Sequence, residues 1–234
     1  MKFLLRLFKE YEISLNENSY NKMKKFIDLI INYPVNLTAI KDFEIAFKSL
    51  ILDSIYPFVK FAKLKDNYKF LDIGTGGGIP GIPLSIVYPK INFTLLDSIE
   101  KKIKGVKFFI NELDLENANA ISERVEIFSK NNLSSFDYIT AKAVSRSDVL
   151  LEYAAPLLKT DGLLFLYKGP TYISEERKYL IKAAEKIYFD IVEEHYYRLF
   201  EKDRVFIILK KTGETPSTFP RKIGMALKKP LGGI

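Results

Sequence analysis

Residues 70–84 read FLDIGTGGGIPGIPL, and the fold turns on this stretch. Phe70, Leu71 and Ile73 form a short apolar run that ends in glycines, as a buried parallel strand does on entering a tight turn. Gly74, Gly76, Gly77, Gly78 and Gly81 then place five glycines in eight residues. Glycine reaches positive φ at little steric cost and leaves room for a ligand against the backbone. Pro80 and Pro83 stand where a helix would begin, a position that tolerates proline. Strand, glycine turn and helix in this order cradle a nucleotide-like ligand at the carboxyl end of a sheet.

The neighbouring residues narrow the ligand. No Gly-Lys-Ser/Thr follows the glycines, which argues against a phosphate-gripping P-loop. NFTLLD at 92–97 reads as a second strand ending in a carboxylate. Asp97 lies 23 residues beyond Gly74, where an acidic side chain can accept hydrogen bonds from both hydroxyls of an adenosine ribose. Glycine turn and acidic strand end together fit NAD or S-adenosylmethionine.

Further out, residues 67–211 alternate strand and helix. Strands are predicted near 68–73, 92–97, 118–121, 136–142, 163–168, 188–198 and 204–210, and helices near 80–88, 99–113, 146–158 and 174–185. This alternation predicts an α/β fold with a mostly parallel sheet covered on both faces. Asp161-Gly162 reads as a turn ahead of the fifth strand. The last two strands flank a short turn and predict an antiparallel hairpin. That ending belongs to Rossmann-like methyltransferases rather than to ordinary dehydrogenases.

Residues 1–66 contain no glycine and read as an N-terminal helical cap. Ser19 is predicted to cap a helix with Tyr20, Met23, Phe26, Ile27, Ile30 and Ile31 on one face. Asp42 is predicted to cap another, with Phe47, Leu50, Ile51 and Ile55 inward. The opening MKFLLRLFKEYE reads as an amphipathic helix rather than a signal peptide. Residues 212–234 form a basic tail whose prolines argue against regular helix, so a disordered end or an RNA-touching strap is expected.

Composition removes several chemistries. Without Cys there is no disulfide, thiolate nucleophile or Cys-based metal site. His195 is the single His, so no His-based triad or metal site is expected. No apolar run reaches a membrane-spanning length, and a soluble cytoplasmic protein is expected. The net charge of +7 suits a polyanionic partner such as RNA. Yet seven of the 36 cations are Arg and the rest Lys, alongside abundant Ile, Asn, Phe and Tyr, so part of the excess reflects an A+T-rich codon supply.

At this point the residues match a family. NLT at 36–38, ILDS at 51–54, the glycine signature at 72–84, FTLLDS at 93–98, RVE at 124–126, FLYKG at 165–169 and FPRK at 219–222 together resemble the glucose-inhibited division protein B family, over nearly the full length. The resemblance implies a class I S-adenosylmethionine-dependent methyltransferase acting on N7 of a guanine in small-subunit (16S) ribosomal RNA. It implies ribosomal RNA or the 30S subunit as partner, with the chain taken as a monomer. It assigns cofactor contacts to Gly74, Ile79, Val125, Glu126 and the position of Lys142, to which the residue reading adds Gly76 and Asp97. Lys168, Arg221 and Lys222 are RNA-contact candidates. Two positions depart from the family pattern: Leu50 stands where the family usually has His, and Lys142 where it usually has Arg. No general base is expected, because guanine N7 carries a lone pair and no proton. The alternatives are an NAD-dependent dehydrogenase and a non-catalytic RNA-binding protein with this fold.

Overall fold

The structure, a computed structural model, describes residues 2–233, with side chains from Arg6 onward. The apolar side chains at 3–5 of the opening segment lie outside the described residues. Four helices lead the chain: α1 (Lys2–Glu10), α2 (Glu17–Asn32), α3 (Phe43–Ala46) and α4 (Asp53–Phe61), with a π-helical turn over Phe47–Leu52 joining the last two. There follow β1 (Lys69–Ile73), α5 (Gly81–Val87), β2 (Asn92–Asp97), α6 (Glu100–Glu112), β3 (Ala118–Ser122), α7 (Val125–Phe128), β4 (Phe136–Lys142) and α8 (Ser147–Ala154). The chain continues with β5 (Leu158–Lys168), a π-helical turn over Tyr172–Glu176, α9 (Arg177–Lys186), β6 (Phe189–Leu199), β7 (Lys202–Lys211) and α10 (Met225–Lys228).

The strands form one sheet in the order β3-β2-β1-β4-β5-β7-β6. β1 to β5 are parallel, and β7 runs antiparallel to both β5 and β6. The order reverses between β1 and β4, which opens a crevice at the carboxyl ends of these strands. Side chains alternate across the sheet with the strand period of two. Phe70, Phe93, Phe165 and Phe206 fall on one face; Leu71, Leu164, Leu166 and Ile207 fall on the other. The first face is covered by α2, the π-turn, α4, α5 and α6, and the second by α8 and α9. Phe58 of α4 sits with its ring centroid 4.8 Å from Phe165 and 5.1 Å from Phe206, so the N-terminal helices share the core of the sheet.

Several boundaries differ from the sequence reading. The cap of α2 is Asn16, whose Oδ1 accepts from the Ser19 N–H at 2.8 Å. Ser19 itself is buried inside the helix. Asp42 does cap α3, accepting from the Ile45 N–H at 2.8 Å. β5 begins at Leu158, and Asp161-Gly162 falls within a bulge of that longer strand, where the pairing with β4 shifts register. The tail folds back, with one helical turn in α10, Ala226 buried, and Leu231 packed against the second core.

Candidate functional site

A cavity of about 300 Å³ opens at the carboxyl ends of β1, β2 and β4. Gly74, Asp97, Val125 and Glu126 all line it, brought together from three separate segments. Gly74 has φ +71°, and a Cβ there would lie 2.5 Å from Val144 Cγ2 across the turn. Its N–H and that of Thr75 both donate to Leu96 O, at 2.7 and 2.9 Å, which locks the turn to the end of β2.

Asp97 holds the same turn from the side. Its Oδ2 accepts from the Gly76 N–H and its Oδ1 from the Ile99 N–H, each at 2.9 Å. Gly76 does not line the cavity, and a Cβ there would meet nothing nearer than 4.0 Å. Its φ of +58° disfavours a side chain, and its N–H anchors Asp97. Beneath the turn, Asp72 Oδ2 accepts from Thr75 Oγ1 at 2.7 Å and from the Gly81 N–H at 2.9 Å. Asp72 Oδ1 is buried with no hydrogen-bond partner among the described residues. Burial pushes the Asp72 carboxyl up to about 7, against the pull of the Thr75 and Gly81 bonds.

Glu126 is buried, and its Oε1 accepts from the Gly224 N–H of the tail at 2.9 Å. Burial raises its pKa, but the Gly224 N–H, its own backbone and Arg124 outweigh this and hold the carboxyl below the ordinary value. Ile79 packs against the first core and does not line the cavity.

Lys142 ends β4, yet its side chain turns away from the cavity. Its Nζ lies 2.9 Å from Asp53 Oδ2, donates to Ser54 Oγ at 3.2 Å, and sits 5.4 Å from the centre of the Tyr167 ring. Arg204 Nε donates to Asp53 Oδ1 at 2.9 Å. The side chains of Lys142 and Asp53 are 14% and 12% exposed, so this is a largely desolvated pair. Burial raises Asp53, but Lys142 and Arg204 together bring it below its ordinary value. Burial likewise lowers the Lys142 ammonium, with Asp53 restoring part of the loss. The following residues, Ala143, Val144 and Ser145, are the ones that line the cavity.

Two expected RNA contacts have internal partners. The Lys168 side chain is 8% exposed, pairs with Glu176 at 2.7 Å and donates to Ser145 O. Arg221 forms a two-pronged pair with the buried Glu152 carboxylate. Lys222 is exposed. His195 stacks on Phe61 with ring centroids 4.2 Å apart, and its Nε2 lies 2.6 Å from Glu193 Oε2.

The sequence reading missed Ile99, Lys102, Val144, Tyr153 and Leu227 as wall residues. Ile99 and Val144 follow the ends of β2 and β4, so their positions carried a usable signal. Tyr153 and Leu227 lie on α8 and α10 and reach the cavity only by tertiary packing.

Comparison with known proteins agrees with this geometry. Among solved structures, M. jannaschii TYW2 in complex with AdoMet is similar over 68% of this chain and 76% of its own, with a TM-score of 0.53 and 15% identity. A variant of MtNAS is similar over 82% of this chain and 71% of its own, with a TM-score of 0.60 and 12% identity. These likenesses carry the fold, a Rossmann-like class I methyltransferase sheet with its terminal hairpin. In sequence, the chain is 42% identical over 221 residues to the ribosomal RNA small subunit methyltransferase G of Petrotoga mobilis, covering 94% of this chain and 98% of that one. It is 38% identical over 232 residues to the protein of that name from Pseudothermotoga lettingae, covering 99% and 100%. Residues 19–205 match the family described as rRNA small subunit methyltransferase G (GidB). The chain belongs to the GidB family of small-subunit ribosomal RNA methyltransferases.

Proposed function

We propose that this chain transfers the methyl group of S-adenosylmethionine to N7 of a guanine in small-subunit ribosomal RNA. The observation that carries the reading is the convergence of Gly74, Asp97, Val125 and Glu126 on one cavity at the switch point of the sheet. The cavity has the size of a small-molecule site. Leu96, Ile99 and Val125 give it an apolar wall suited to an adenine ring. Asp97 presents a carboxylate already fixed by two backbone N–H groups, so it can accept from ribose hydroxyls without reorganising.

When bound, S-adenosylmethionine supplies a sulfonium methyl that is already electrophilic. Guanine N7 has a lone pair and no proton, so the protein has no proton to remove. Asp97 is held by backbone donors, and His195 lies on β6 in a stack with Phe61, so neither is poised as a base toward N7. The work of the chain is then to hold two reactants in line and exclude water. The lock of the Gly74 turn onto β2 and the Asp97 staple supply the rigidity this needs. We also propose that the chain acts as a monomer in the cytoplasm.

Calorimetry with S-adenosylmethionine and methyl transfer to 30S particles and to naked ribosomal RNA test the reading. The Asp97→Ala chain is expected to bind about 1–3 kcal/mol more weakly, because hydroxyls are left unpaired and Gly76 loses its anchor. Mass spectrometry of the product should find 7-methylguanine. Methyl on another base atom would overturn the N7 assignment, and tight cofactor binding without transfer to either substrate would favour the inert RNA-binding reading.

A further inference from the structure

We infer that the C-terminal strap, residues 212–233, is part of the cofactor site: Leu227 forms an outer wall of the cavity, and the Gly224–Glu126 and Arg221–Glu152 contacts latch it there. The inference rests on the reading of the cavity as the S-adenosylmethionine site. None of the strap residues lies in the regular methyltransferase sheet, and the sequence alone placed the tail beyond it.

Three sets of contacts bring the strap to the cavity. Leu227 lines the cavity together with Val125, Glu126 and Tyr153, although 56% of it is exposed to solvent. A large apolar side chain half in water at the mouth of a ligand cavity gains burial when a ligand arrives. Next to it, the Gly224 N–H donates to Glu126 Oε1, so one carboxylate both borders the cavity and holds the strap. Further along, Arg221 grips the Glu152 carboxylate of α8 and also donates to Lys229 O, closing the strap on itself. Arg146 Nη2 donates to Gly233 O and Lys186 Nζ to Leu231 O, which pins the far end. Four hydrogen-bonded attachments to the rest of the fold over about a dozen residues describe a fitted wall rather than a loose end.

The consequence is a coupling. Ligand burial against Leu227 stabilises the strap, and the strap in place preserves the apolar wall over Val125, so order in one favours occupancy of the other. A tail that served only as an RNA tether would leave cofactor affinity untouched.

The test uses the full chain and S-adenosylmethionine as probe. Leu227→Ala trims an exposed side chain and should leave the fold intact, but weaken binding about three- to tenfold in calorimetry. Arg221→Gln should weaken it too, by loosening the latch. Hydrogen exchange of residues 220–229 should slow when S-adenosylmethionine is added to the parent chain. Parent-like affinity in both variants, with exchange of the strap unaffected by the cofactor, would overturn the inference while leaving the cofactor site standing. A parent chain that fails to bind S-adenosylmethionine would overturn the cofactor reading and this inference with it.

Discussion

Asp72 sits fully buried under the glycine turn, with one oxygen shared by Thr75 and Gly81 and the other without a partner among the described residues. Burial lifts its pKa from the ordinary 3.8 to about 7. A raised carboxyl favours the folded state while protonated: its contribution is complete below about 3.8 and is lost as pH rises through about 7. The ligand-free chain should therefore lose stability between these values, by on the order of 4 kcal/mol at most. Asp72→Asn keeps one oxygen for Thr75 and Gly81 and should flatten the profile. Urea titrations across this range check it, and a parent chain equally stable at both ends would show that folding does not raise the Asp72 pKa. The neighbouring glycines illustrate how the same letter serves different needs. Gly74 combines a positive φ with a close approach to Val144, whereas Gly76 has open space and is favoured by its φ alone. Spacing in the sequence locates both and separates neither.

At the scale of elements, the helical run from Phe43 to Phe61 matters most. Its π-turn over Phe47–Leu52 inserts an extra residue into the helical repeat, and Asp53 and Ser54 begin the α-helix that follows. That helix delivers Asp53 to Lys142 at the end of β4 and to Arg204 on β7, joining cap, parallel sheet and hairpin in one ion network. Removing the shared carboxylate leaves two cations close together in a poorly solvated place. Asp53→Ala is therefore expected to destabilise the chain by about 3 kcal/mol in chemical denaturation. Burial raises the Asp53 pKa, but Lys142 and Arg204 outweigh it and hold the carboxyl below its ordinary 3.8, so its stabilisation is full above that pH and fades as pH falls through the lower folded value. Lys142→Arg should be tolerated, since a guanidinium can reach the same carboxylate. An Asp53→Ala chain as stable as the parent would mean that the network balances its own desolvation. The pattern ILDS at 51–54 was visible in the sequence, but the distant partners of its carboxylate were not, because ion pairs between elements leave no periodic trace.

Over the whole molecule, a net charge of +7 does not by itself map an RNA surface. Lys142, Lys168 and Arg221 direct their charge at Asp53, Glu176 and Glu152. The exposed cations of the strap, Lys222, Lys228 and Lys229, are the better candidates for phosphate contacts. Replacing these three with Ala should flatten the salt dependence of RNA affinity, by about 0.7 in log–log slope for each phosphate that no longer meets a cation. Lys168→Ala should leave that slope unchanged and lower stability instead. The opposite pattern in filter-binding titrations would return Lys168 to the RNA track. We further propose that residues 1–66, 67–211 and 212–234 are layers of one body rather than units that fold alone. Phe58, Phe70, Phe165 and Phe206 form one aromatic cluster across the first boundary, and the strap closes on α8 across the second.

The chain order of strands, the glycine turn, Asp97 and the hairpin were determined by the sequence, because local periodicity and turn chemistry act between near neighbours. The alternation of Phe and Leu across β1 and β5 had only one way to bury both faces of a parallel sheet. Tertiary structure alone decided where the long polar side chains would go. It turned Lys142 from the cavity to Asp53, buried Lys168 against Glu176, and folded the strap back until Gly224 met Glu126. The reason is physical. A desolvated charge needs a partner wherever the fold brings one, and a buried carboxylate needs donors that its own segment does not supply.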